Sequence, residues 1–207
     1  MHDLLQEMLL LEATTRQTET DEFKSWFGSS KVVDENGDPR VMYHLTSKDF
    51  DTFKHGGSDN PEIESWISGG EKRSMTGASG KGFWFSVDPN KTPAAHHATG
   101  RAPGDNIKPV YLKAISPLIM DDDLTDWAVD AFAEGHEEFP LLITDQAYNN
   151  LKSSGYDSIF IYREGQDSAV DDPVEVVVLD SNQIKSAMGN KGTFKSDSDN
   201  IVESSKD

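Results

Sequence analysis

The chain has 207 residues, 35% of them apolar, which is enough for one domain around a single core and too much for a wholly disordered chain. Its formal net charge of −18 opposes non-specific attachment to nucleic acid or anionic lipid, both of which need a positive face. Cysteine is absent, which excludes thiol nucleophiles, disulfide scaffolds and Cys-ligated zinc and fits a reducing compartment.

Leu4, Leu5, Met8 and Leu11 recur at near-helical spacing behind Asp3, so a short amphipathic helix is predicted over residues 3–17. The run Met8-Leu9-Leu10-Leu11 is too short for a membrane span or a signal-peptide core and follows no basic residue. A soluble, cytoplasmic protein is expected. Glu22 to Gly28 reads as a second short helix stopped by Gly28. Residues 31–33 and 40–44 are strand-like runs around Asn36-Gly37, a hairpin signal, and they put His44 at a strand end. Residues 47–82, rich in Ser, Gly, Asn and charge, read as a long mobile excursion.

Order returns at Gly82-Phe83-Trp84-Phe85-Ser86, followed by a predicted helix over 92–98 with Pro93 in its first turn. Strands are predicted over 110–114, 158–162 and 174–179, and a helix over 145–153 that ends at Ser154-Gly155. Residues 195–207, polar and low in complexity, read as a disordered tail. Without a βαβ alternation or a Gly-rich phosphate loop, the expected class is α+β on antiparallel sheets, and a Rossmann domain has no support.

Between Asp121 and Asp145 stand nine acidic residues and no Lys or Arg, half of the net charge. This is a solvated surface insert or, in the sharper reading, a docking face for a basic partner. Its spacing matches no EF-hand loop, and His96-His97 point to different sides of a helix, so no metal site is expected. No serine sits in a G-x-S-x-G elbow. A dispersed set remains: His44 at a strand end, Trp84 in an aromatic strand, and Glu175 in an apolar one. Singly, these read as a half-buried strand histidine, a core tryptophan and an outward strand residue. Alternation gives Val174, Val176 and Val178 one face and Glu175 with Val177 the other, which suggests a cleft wall.

Taken in order, Tyr43-His44-Leu45-Thr46, Gly80-Lys81-Gly82-Phe83-Trp84-Phe85 with Lys91-Thr92, and Glu175-Val176-Val177-Val178-Leu179-Asp180 with Gln183-Ile184 resemble the three motifs of one family. The family is the ADP-ribosyltransferases of the diphtheria-toxin and poly(ADP-ribose) polymerase type, whose site draws a His, an aromatic and a Glu from three strands. Residues 23–194 are similar to its phage and mobile-element branch, found within polyvalent proteins. The resemblance implies split antiparallel sheets with short flanking helices, a domain over 23–194, a helical or linker segment over 1–22, and NAD as substrate.

By that resemblance His44, Trp84 and Glu175 are the catalytic set, and NAD meets His44, Leu45, Thr46, Phe83, Trp84, Ser86, Thr92 and His96. His44 would contact the adenosine ribose, the Leu45 backbone would hold the nicotinamide carboxamide, and Trp84 would stack on the nicotinamide ring. Thr92 would add a hydroxyl near the carboxamide. Glu175 would bind the nicotinamide ribose and stabilise an oxocarbenium-like state.

Three departures stand out: Leu45 where the family has Gly, Trp84 for Tyr, and Ala95 where a second stacking Tyr belongs, with His96 close enough to take the other ring face. The implied activity is ADP-ribosyl transfer from NAD to a host or phage macromolecule, and the missing Tyr favours a single unit. The alternatives are an NAD glycohydrolase, or a non-catalytic module that binds through the acidic 121–145 segment. RNA 2′-phosphotransfer lacks its basic residues. The chain's acidity favours a basic protein as acceptor over nucleic acid, and residues 162–172, beside the Glu175 strand, are the candidate acceptor loop.

Overall fold

The computed structural model describes residues 17–46, 49–55, 81–90, 106–120, 143, 145–162, 165–190 and 192–202. The first helix, α1 (Asp21–Phe27), begins where the Thr20 side chain accepts from Phe23 N–H, and ends at Gly28, whose φ of 58° few other residues tolerate. The Asn36-Gly37 turn forms as expected. Asp34 Oδ1 accepts from the N–H groups of Asn36 and Asp38, Gly37 has a φ of 85°, and Val33 bridges Pro39. The run at 31–33 contributes only that bridge, and the strand proper starts two residues later than Arg40.

Among the described residues seven strands follow: β1 (Met42–Thr46), β2 (Phe83–Ser86), β3 (Asn106–Leu112), β4 (Pro117–Met120), β5 (Ser158–Ile161), β6 (Glu175–Val178) and β7 (Ile184–Ser186). A second helix, α2 (Asp145–Ser153), precedes β5 and stops at Ser154-Gly155, with Gly155 at a φ of 86°. The strands form one sheet in the order β4-β5-β6-β2-β1-β3-β7. The α+β class holds, but the sheet is mixed: β4 pairs β5 in parallel, in place of the all-antiparallel arrangement expected. β4 is not evident in the sequence because it is four residues long and starts with proline, which weakens a strand signal.

This single sheet has one weak joint. β1 and β2 share the single register pair Tyr43↔Ser86, whereas β1 and β3 share five and β2 and β6 share four.

Alternation along the strands sorts the core. One face carries Met42, Phe83, Phe85, Val110, Phe160, Val176 and Val178 under Val32, Phe53 and Ile201. The other carries both helices on separate wings. At the β5–β6 wing, Ala147 and Leu151 of α2 cover Trp84, Ile159, Val177 and Leu179. At the β3 wing, Phe23, Trp26 and Phe27 of α1 pack on Tyr111 with Phe194.

Two segments depart from expectation. Within the excursion read as mobile, Phe53 is 4% exposed and enters the core. Of the tail read as disordered, residues 195–202 pack on the domain. Ile201 is 2% exposed, its N–H donates to Asp51 O, and its carbonyl accepts from Ser186 N–H. One buried apolar side chain and backbone bonds to two other segments hold a stretch whose composition is that of a linker.

Candidate functional site

The site begins at the joint between β1 and β2. Pro109 lies opposite Tyr43, has no N–H, and turns its carbonyl to Ala187 N–H at 3.0 Å. The peptide groups of Tyr43 therefore face β2, and alternation puts those of Leu45 on the same edge, where the β1–β2 register has ended. On β2 the same rule turns the Trp84 carbonyl toward β1. There the His44 ring takes the place of a strand partner, with Nδ1 3.0 Å from Trp84 O. A carbonyl only accepts, so Nδ1 carries the proton, and in the neutral ring Nε2 is an acceptor.

Tyr43, Ser86, Glu175 and Ile161 are register partners in succession across β1, β2, β6 and β5. Paired residues share a face, so their side chains make one row on the helix-bearing face, between the α1 and α2 wings. Glu175 is half-buried and its Oε2 is shielded from solvent. Ser86, 2% exposed, stands beside it and accepts from Asp88 N–H at 3.2 Å. Burial, then the charge of Asp88, pushes the Tyr43 hydroxyl above its ordinary range, so it stays protonated and able to donate. Tyr43 was not singled out in the sequence, although its place beside His44 in the first motif is signal enough.

The remaining expected residues divide. Leu45 is 4% exposed and, two residues from Tyr43, has the same facing. Thr46 closes β1 opposite Asn106. Trp84 is on the Glu175 face but 5% exposed, in the α2 core. His44 and Phe83 belong by alternation to the opposite face. The His44 ring packs against Phe53, Phe85 and Phe50, and Phe83 against His55 and Phe53. The three motifs thus meet through neighbouring strands, while the side chain of His44 leaves the sheet on the other side from Trp84 and Glu175. Thr92, Ala95, His96 and the predicted helix over 92–98 lie outside the described residues, as do most of residues 3–17 and of the acidic segment.

Gly82 explains the second glycine before the aromatic strand. Its φ is 86°, and a Cβ there would stand 2.9 Å from both Ile143 Cδ1 and Val177 Cγ1. Gln183 of the third motif is structural. Its Oε1 accepts from Leu179 and Asp180 N–H, and its Nε2 donates to the carbonyls of Lys113 and Asp157. It ties the end of β6 to the segments beside β3 and β5.

In the candidate acceptor loop, Asp167 organises a turn by accepting from Ala169 N–H, Asp172 pairs with Arg40 at 2.7 Å, and Val170 is 80% exposed. Two described cavities, of about 640 and 600 Å³, lie beside α1 and beside His55; neither is lined by His44, Trp84 or Glu175. Among the described residues no cluster of acidic or histidine side chains is placed to hold a metal, and no helix is long and apolar enough to cross a membrane.

A family model described as ADP-ribosyltransferase in polyvalent proteins matches residues 34–194. Searches of curated proteins and of solved structures return no match.

Proposed function

The chain belongs to the ADP-ribosyltransferase family of polyvalent proteins, and we propose that it transfers a single ADP-ribose unit from NAD to a basic acceptor protein, with Glu175 as the catalytic carboxylate. The observation that carries this reading is the row Tyr43, Ser86, Glu175 between the two helical wings, at the joint where β1 and β2 part.

In the reaction the bond between ribose C1′ and the nicotinamide nitrogen breaks, the bonding pair leaves with nicotinamide, and positive charge develops on the ribose. A carboxylate held beside that charge lowers the barrier, and its shielding from water strengthens the effect. Glu175 then accepts the proton of the incoming nucleophile, which bonds to C1′. Tyr43 donates toward the same row. The Leu45 peptide, on the edge that β2 leaves, holds the carboxamide. His44, with its proton on Nδ1, accepts from a hydroxyl of the adenosine ribose through Nε2. Stacking by Trp84 requires one indole face to open when nicotinamide enters. Thr92 and His96 complete the nicotinamide pocket in this proposal.

Val170, held out between Asp167 and Asp172, is proposed to meet the acceptor, a basic protein with an apolar contact point in a reducing intracellular setting. Incubating the protein with ADP-ribose-labelled NAD and lysate, then identifying the modified species by mass spectrometry, tests the assignment. Labelled protein supports it. Nicotinamide release with no labelled acceptor assigns water as the acceptor and makes the protein an NAD glycohydrolase.

A further inference from the structure

The ring of His44 sits in a cage built by one short loop and β2. Phe53 meets it edge to face at a centroid distance of 4.9 Å, Phe50 stands at 6.1 Å, and those two rings contact each other at 4.9 Å. Phe85, on β2, closes the third side at 5.6 Å. Phe50 and Phe53 lie in a stretch that offers no regular strand or helix, so the loop needs holding from outside.

Two clamps supply that hold. From β3, Lys108, the register partner of His44, places its ammonium 4.8 Å from the Phe50 ring centroid and 2.8 Å from Asp49 Oδ1. From the end of the chain, Asn200 bridges Thr52, and Ile201 N–H donates to Asp51 O at 2.9 Å. That end is itself fixed by Lys185, which is fully buried and donates from Nζ to the carbonyls of Ser198 and Asn200. The path is continuous from the buried ammonium, through residues 198–201, to the loop, to Phe53, to the imidazole.

We propose that Phe53 is a positioning residue for His44, and that residues 198–201 serve the site by holding Phe53 in place. The imidazole must keep Nδ1 on the Trp84 carbonyl if Nε2 is to face a ligand as an acceptor. Freedom to turn about the side-chain bonds would break that bond. The aromatic edges remove that freedom, and the terminal segment keeps them there. The proposal rests on the reading of His44 as an NAD contact for its effect on catalysis, but not for its effect on the ring.

The test uses the full chain with 15N-labelled histidine. Nitrogen chemical shifts report which ring nitrogen of His44 carries the proton, and steady-state kinetics give KM for NAD and kcat for nicotinamide release. Phe53→Leu and Ile201→Ala are compared with Phe160→Leu, which empties the same core without touching His44. The wild type and Phe160→Leu are expected to hold His44 as the Nδ1–H tautomer. Phe53→Leu and Ile201→Ala are expected to give a mixture with Nε2–H, with KM raised about fivefold and kcat within about twofold, the scale of one lost hydrogen bond. An unchanged tautomer in whichever of these two variants folds overturns the proposal, as does the same shift in Phe160→Leu. A tautomer change in a protein whose wild type releases no nicotinamide sustains the positioning and overturns the functional reading instead.

Discussion

Ser86 stands directly opposite Glu175 across the antiparallel pair β2–β6, with its side chain on the same face and almost no exposure to solvent. The carboxylate therefore has a small polar neighbour where a larger one would displace it. Ser86→Leu is expected to lower the rate of nicotinamide release by about 10- to 100-fold, the scale of a misplacement near 1 Å. Ser86→Ala should leave most of the rate. Parallel kinetics on the two variants check this; equal rates would remove Ser86 as a determinant of the carboxylate's position.

Gly82 carries two constraints at once, a φ of 86° and a Cβ position already occupied by Ile143 and Val177. Gly82→Ala is expected to cost about 2–4 kcal/mol, from backbone strain and overpacking together. Urea unfolding followed by tryptophan fluorescence measures it. A loss under 1 kcal/mol would show that the strand entry relaxes freely.

Gln183 is 6% exposed and makes four hydrogen bonds to backbone groups of three segments. Gln183→Leu removes these four bonds, with Leu179 N–H keeping only its 3.2 Å bond to Asp157 O, and is expected to destabilise the fold by about 2–4 kcal/mol. Denaturant midpoints would show it, and an unchanged midpoint would contradict the structural role.

Asp180 and Tyr148 set opposite limits of a pH window. Burial alone would raise the Asp180 carboxyl, but hydrogen bonds from Lys152 at 2.5 Å and Tyr148 at 2.7 Å, with the charges of Lys152 and His55, hold it below its ordinary 3.8. A depressed folded pKa gives stability that is present above the unfolded value and lost as pH falls through the folded one. Burial, then Asp180, pushes Tyr148 from 10.0 up to about 12. Its contribution is full below pH 10 and is lost as pH rises toward 12. Asp180→Asn is expected to flatten the acid loss and to move the phenolate absorbance titration of Tyr148 downward. An unmoved phenolate titration would show that Asp180 does not hold the proton on Tyr148.

Local signals were legible where local physics decides. The stops of α1 at Gly28 and of α2 at Ser154-Gly155, the Asn36-Gly37 turn, and the facing of Glu175 with Val177 all follow from sequence spacing and from Gly in fixed places. What was not legible depends on partners far along the chain. Phe53 enters the core because β1, β2 and residues 200–201 surround it, and nothing in its polar neighbourhood announces that. Ile201 belongs to an isolated apolar pair with Val202 in a linker-like stretch until Asp51 and Ser186 bond its peptide groups and Lys185 bonds the carbonyls of Ser198 and Asn200. Gln183 stood in a motif, but only the fold shows that it acts on backbone groups. For the site, order along the chain indicated which strands meet. It did not show that the His44 ring leaves on the face opposite Glu175, because the splayed β1–β2 joint is a tertiary feature.

Nicotinamide release from NAD by the wild type and by Glu175→Gln, an isosteric change that removes the negative charge, tests the role of the carboxylate most directly. Measurable release by the wild type and a loss of about 100-fold or more in the variant are expected, with the fold unchanged by circular dichroism. No release by the wild type, or equal release by both proteins, would contradict that role.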